Sequence, residues 1–188
     1  MTIVRIDLSL LEILRLPRYQ VVLRRVWTGV KHTSIFGQIV ALADSWSPRY
    51  IVCDSTGIGA GIASFLIKAL GEGRVIPFIF SSKSKSDLGW KFLSVIETGR
   101  FQDYTSESDP LSATFQLQLK NCAMEILSGP GKIMRWSVPD GTRDPVSGDL
   151  VHDDLIISAA LCAILDEQTW GLAKSEIILG LDPLSDLS

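Results

Sequence analysis

The sequence predicts an α/β protein built on one mixed sheet, antiparallel along its amino-terminal edge and parallel beyond it, with helices on both faces. Two changes of rhythm carry that prediction. Residues 2–28 alternate apolar and polar positions, with Ile3, Ile6, Leu8 and Leu10 before Pro17-Arg18 and Val21, Val22, Val26 and Trp27 after it. That is the period of two or three antiparallel strands. Past Ser34 the period lengthens to that of a helix, and residues 50–80 then read as strand, helix, strand.

Each element has a local reason. Ile35, Ile39, Leu42 and Trp46 recur at spacings of three and four, and Ser47-Pro48 stops that helix. Residues 50–54 form a short apolar strand, residues 61–70 a helix closed by Gly71, and residues 75–80 a second strand containing Pro77. Ser86-Asp87 can cap a helix that runs to Thr98 and ends at Gly99, with residues 101–104 extended after it. Asp109-Pro110 opens the next helix, since proline is tolerated in a first turn, and Gly129-Pro130-Gly131 closes it. A strand follows at 133–138. Residues 139–150 have the Pro, Gly, Asp, Ser and Thr content of a surface loop. Residues 155–165 are apolar on nearly every side, and Ser158, Ala159, Ala160 and Ala163 are small enough to let that helix lie close against a sheet. Residues 1–169 are expected to form one domain and residues 170–188 a tail.

With 188 residues, 46% of them hydrophobic, the chain can bury one substantial core. No uninterrupted apolar run reaches the ~20 residues of a membrane span, and Met1 is not followed by a basic segment and cleavage site, so a soluble cytoplasmic protein is expected. Cys53, Cys122 and Cys162 are odd in number and each lies in an apolar segment, the pattern of buried free thiols rather than of a disulfide framework or a zinc site. The net charge of −3 gives no sign of a polyanionic partner. Basic residues are gathered locally instead, in Arg15, Arg18, Arg24, Arg25 and Lys31 and in Lys83, Lys85 and Lys91. Such groups are ordinarily solvated faces. Lys83 and Lys85, in a serine-rich stretch between strand and helix, are candidate phosphate contacts.

The chemistry is carried by acids. Asp153 and Asp154 stand side by side, after His152, at the mouth of the apolar helix. One aspartate there is explained by the helix dipole; two in succession point beyond capping. Asp54 ends the strand at 50–54, where open α/β sheets gather their functional groups. If the three converge, their mutual repulsion calls for a cation. Few hard oxygen ligands with positions left for water and phosphate suit magnesium or manganese. Two such ions about 4 Å apart can activate a water and stabilise the leaving oxygen of a phosphodiester. Gly57, Gly59 and Gly61 make a poor dinucleotide fingerprint, because their spacing is wrong and Asp54 repels a pyrophosphate.

Several segments, in order, resemble the carboxyl-terminal nuclease domain of the large terminase subunit of tailed bacteriophages and prophages. They are Tyr50-Ile51-Val52-Cys53-Asp54-Ser55-Thr56-Gly57-Ile58-Gly59, residues 73–80 with Ser84-Lys85-Ser86, Glu97-Thr98-Gly99-Arg100, and His152-Asp153-Asp154-Leu155 with Ser158-Ala159. The resemblance implies a ribonuclease H-like fold and a Mg2+- or Mn2+-dependent endonuclease. It implies metal ligation by Asp54, Asp153 and Asp154, with Lys85 near the DNA backbone. Double-stranded DNA, the terminase ATPase domain, the small subunit and the portal are its implied partners. The first strand of that fold, with its acid, has no counterpart here, and residues 2–7 look like the second strand, which leaves Asp7 an edge residue. The motor domain is absent too, so a fragment, or the product of a shortened or split reading frame, is expected. The rival reading is a domain that keeps the fold but docks partners or guides DNA.

Overall fold

The computed structural model describes residues 1–104, 109–129 and 131–171. Strands β1 (Thr2–Asp7) and β2 (Arg18–Arg24) pair antiparallel, with a register shift between Ile3 and Val4. The connection between them is not a further strand but a single helical turn, α1 (Leu11–Leu14). Asp7 sets that turn up: its Oδ1 accepts the Ser9 N–H at 2.8 Å, and its other oxygen pairs with Arg18. The Ser9 backbone and hydroxyl, ahead of Arg18, hold the Asp7 carboxyl down at about 2. A depressed carboxylate contributes stability that is fully present above its unfolded value, near ~3.9. That stability is lost as pH falls through the folded value. The melting temperature is therefore expected to fall between about pH 4 and pH 2 more steeply in the natural chain than in Asp7→Asn; parallel curves would refute this.

β2 continues into a parallel pairing with β5 (Phe101–Gln102), making the mixed sheet β1-β2-β5. Helix α2 (His32–Trp46) ends where Ser47 turns left-handed before Pro48. The predicted strand, helix, strand unit is then present as β3 (Ile51–Asp54), α3 (Gly59–Leu70) and β4 (Val75–Phe78), with the strands parallel. The expected single sheet is nevertheless divided. Among the described residues β1 bonds only to β2 and β3 only to β4, because no strand lies between the free edges of β1 and β3.

Two further boundaries depart from expectation. Helix α4 (Ser82–Glu97) starts four residues before the Ser86 predicted to cap it: Ser81 and Ser84 form a reciprocal capping box, so the serine-rich stretch with Lys83 and Lys85 is helix, not loop. Helix α5 (Pro110–Asn121), capped by Asp109, stops short of the predicted glycines. Residues Ala123–Ile126 become β6, paired antiparallel with β7 (Met134–Ser137).

The last helix, α6 (Asp154–Ala160), tightens into a 3-10 segment, Leu161–Glu167. It is the central element of the core. Leu155, Ile156, Ala159, Ala160 and Ala163 are buried with Tyr19, Leu88, Val95 and Phe115, and the small side chains let the helix approach its neighbours as predicted. α6 packs on β1 and the 3-10 segment on β3, so one helical run lies under both sheets. All three cysteines are free; burial pushes the Cys162 thiol well up from its ordinary value. No described helix is long and apolar enough to cross a membrane. Of the expected tail, Trp170 packs edge-on against Tyr50, 5.7 Å between ring centroids, and residues 172–188 lie outside the described residues.

Candidate active site

The turn after β3 is organised around Asp54, which is exposed at the strand's end. Its Oδ1 accepts the Thr56 N–H at 2.7 Å, leaving Oδ2 free of hydrogen bonds within the described protein. Gly57 adopts φ +53°, and a Cβ on Gly59 would lie 2.6 Å from the Asp54 carbonyl oxygen. Glycine is thus required where α3 begins because the chain passes over the acid's own backbone. The glycine-rich run holds Asp54 in place; it is not a phosphate cradle. The Thr56 hydroxyl accepts the Phe80 N–H at 2.7 Å, tying this turn to the residue just ahead of the Ser81 cap of α4.

At the start of α6 neither aspartate side chain caps the helix. The free N–H groups of the first turn are satisfied from outside the helix: buried Gln118 of α5 accepts from Leu155 N–H at 3.0 Å and Ile156 N–H at 3.3 Å through its Oε1. A helix end needs such partners. Because Gln118 supplies them, Asp153 and Asp154 are not needed as caps. Asp153 is half-buried and Asp154 exposed; His152 is exposed as well.

Lys85 connects the two halves. Its Nζ is 3.4 Å from Asp153 Oδ2 and 5.5 Å from the centroid of Trp136, while the Trp136 indole donates to the Lys85 carbonyl at 2.7 Å. A continuous path therefore runs from Asp54 through Thr56, Phe80 and the first turn of α4 to Lys85 and Asp153. Burial lowers the pKa of the Met1 ammonium at the amino end of β1, and the charge of Asp154 opposes that shift. Lys83 is exposed and engaged with Asp87 one turn along, at 2.8 Å. Asp7, committed to Arg18, is an edge residue as expected.

The donors suit a hard divalent cation in kind. Oδ2 of Asp54 is free, and the acids of α6 are released from capping by Gln118. In number they fall short: among the described residues no three His, Cys, Asp or Glu side chains are grouped closely enough to hold a metal ion. The arrangement offers separate carboxylates, one of them paired with Lys85, rather than a closed ligand set. Gln118 and the Lys85–Trp136 contact were not singled out from sequence; a glutamine on a helix carries no chemical signal until its neighbour is known.

Fold and site together define an α/β protein with mixed strand directions, an acid at the end of β3 and a lysine-paired acid at the start of α6. Over 92 residues, 49% of its length, the chain is 28% identical to a probable terminase ATPase subunit of Haemophilus phage HP1 (strain HP1c1). It spans about 15% of that relative. No family model matches the sequence, and no solved structure matches it.

Proposed function

We propose that the chain is a divalent-metal-dependent DNA endonuclease domain of a phage terminase large subunit. It has a ribonuclease H-like arrangement and cuts concatemeric double-stranded DNA during genome packaging. One observation carries this reading: Gln118 takes over the capping of α6, which leaves two adjacent aspartates at the helix mouth for another task, on a path that leads to Asp54. The similarity to a phage terminase subunit supports the packaging context. In that context the partners are double-stranded DNA, the terminase ATPase domain, the small subunit and the portal.

Asp54, Asp153 and Asp154 would hold Mg2+ or Mn2+ jointly with phosphate oxygens of bound DNA, since the three side chains by themselves are not grouped closely enough to hold an ion. An ion held there would supply the activation of a water and the stabilisation of charge on the leaving oxygen. The protein's own groups orient the substrate. Lys85, pinned at its backbone by Trp136, keeps a charged head that exchanges Asp153 for a DNA phosphate once the carboxylate is otherwise engaged. Lys83, exposed one turn of α4 ahead of Asp87, adds a second backbone contact. Such contacts position DNA without reading its sequence.

Nicking of supercoiled plasmid tests the reading. Cleavage is expected in Mn2+, none in chelator, and a loss of ~10²-fold or more in Asp54→Asn and in Asp153→Asn, the scale for removing one charge-stabilising group. Cleavage that both substitutions leave intact refutes it. The Lys85–Asp153 pair and the absence of a grouped triad among the described residues favour a second reading, a domain that guides DNA without cutting it. DNA binding that persists without any nicking in Mn2+ would select that alternative.

A further inference from the structure

Gln118, only 5% exposed, uses just half of its amide to cap α6. Its Oε1 accepts the two helix N–H groups, and reversing the amide would set its own N–H groups against them, so its orientation is fixed. Nε2 therefore carries two donors, and neither has a hydrogen-bond partner among the described residues. The nitrogen and oxygen of an amide are about 2.2 Å apart, which places Nε2 within about 5 Å of the Leu155 nitrogen, at the helix mouth where Asp153 and Asp154 stand. Cys122, four positions on, closes α5 on the same face. Burial pushes its thiol up, and the charges of Asp153 and Lys85 act on it as well. This face of α5 thus looks onto the Asp153–Lys85 pair.

Those two donors select their ligand. A cation would meet N–H groups instead of lone pairs, and an apolar group would leave both donors unsatisfied. A phosphate oxygen satisfies them. A neutral donor also suits a place crowded with carboxylates, because it adds no positive charge to pair with them as Lys85 does with Asp153. We propose that Gln118 binds substrate: its Nε2 donates to a phosphate oxygen of the DNA strand lying against Asp153 and Asp154. One side chain then holds the start of α6 and sets the strand in register on it. The assignment rests on the reading that this face meets DNA, and it holds whether the domain cuts the strand or only guides it.

The test is nuclear magnetic resonance of the full 188-residue chain carrying isotope-labelled glutamine, titrated with a short DNA duplex in Ca2+, a hard and diamagnetic stand-in for Mn2+. The side-chain amide pair of Gln118 is expected to shift saturably, at the midpoint of duplex binding read by anisotropy, and to exchange more slowly with solvent. The Gln116 pair, which donates to Asp103 at 3.2 Å, is the internal control and should stay in place. Gln118→Glu keeps an acceptor for the helix and loses both donors; it should weaken duplex binding at least ~tenfold, the scale of a lost hydrogen bond to a charged group. The decision falls on the amide signal of the natural chain, so a variant that folds poorly does not blur it. A bound duplex that leaves the Gln118 pair unmoved overturns the proposal and makes Gln118 a cap only, while nicking in Mn2+ would still stand. Equal duplex affinity in a folded Gln118→Glu overturns it too. So do equal shifts at Gln116, which mark a general rearrangement, and the same shift with inorganic phosphate alone, which marks an anion site indifferent to DNA. Absence of duplex binding removes this proposal and the nuclease reading together.

Discussion

Replacing Asp166 by alanine is expected to lower stability by about 3–5 kcal/mol, the scale for stripping one partner from a buried ion pair. Arg100 is 2% exposed, and its Nη1 and Nη2 donate to the two Asp166 oxygens at 2.8 and 2.9 Å. The same guanidinium also donates to the Pro17 carbonyl and the Thr98 hydroxyl. Fully buried Tyr19 donates its hydroxyl to Asp166 Oδ1 at 2.7 Å, and burial, ahead of the Asp166 charge, pushes the Tyr19 phenol far up. Alanine leaves a buried cation without its anion and a buried phenol without its acceptor. Asp166→Asn keeps an acceptor and should fall between the natural chain and Asp166→Ala. Urea unfolding with an unchanged m-value reads the difference; a loss below about 1 kcal/mol, as for a surface pair, would contradict the assignment.

Gly89→Ala is expected to be nearly as damaging. A Cβ at Gly89 would sit 2.4 Å from Trp136 Nε1, 2.6 Å from its Cδ1 and 2.9 Å from Met134 Sδ. The indole cannot simply withdraw, because it is buried and bonded to the Lys85 carbonyl. Overpacking of this kind costs about 1–3 kcal/mol, and loss of the indole hydrogen bond adds ~1 kcal/mol. Gly61, in α3, provides the control: a Cβ there meets nothing within 4 Å, so Gly61→Ala should be neutral or gain up to ~1 kcal/mol of helix propensity. Equal denaturation midpoints for the two variants would refute the contact. The comparison bears on function, since the same indole anchors the first turn of α4 from which Lys85 reaches Asp153.

Periodicity made much of the fold legible. The alternation of residues 2–28 gave the β1–β2 hairpin, and the apolar face of 155–165, with its small residues, gave the buried α6. Where reading failed, one local pattern had two physical uses. Ser81, Ser82 and Ser84 look like a loop, yet serines also build a capping box, and here they start a helix. The apolar run through Cys122 and Met124 continues the pattern of α5, but the chain bends at Cys122 and the run pairs with β7 instead. The division of the sheet depends on which strands meet, and that is a property of tertiary contacts. At the site, the aspartates were visible because paired acids before an apolar helix are unusual. Gln118 was not, because its role exists only once α5 lies against α6. Arg100 stood only as the last residue of one of the segments resembling the terminase family, and its pairing with the half-buried carboxylate of Asp166 reveals its packing role.

The proposed nuclease requires that Asp54 and the acids of α6 share a divalent cation. The most direct measurement is titration of the chain with Mn2+, following the free ion by electron paramagnetic resonance with duplex DNA present. Binding beyond that of the duplex alone is expected in the natural chain. It should weaken in Asp54→Asn and Asp153→Asn by at least the ~10–100-fold typical of losing a supporting group at a metal site. Equal Mn2+ affinity in the natural chain and both variants would contradict a cation held between β3 and α6.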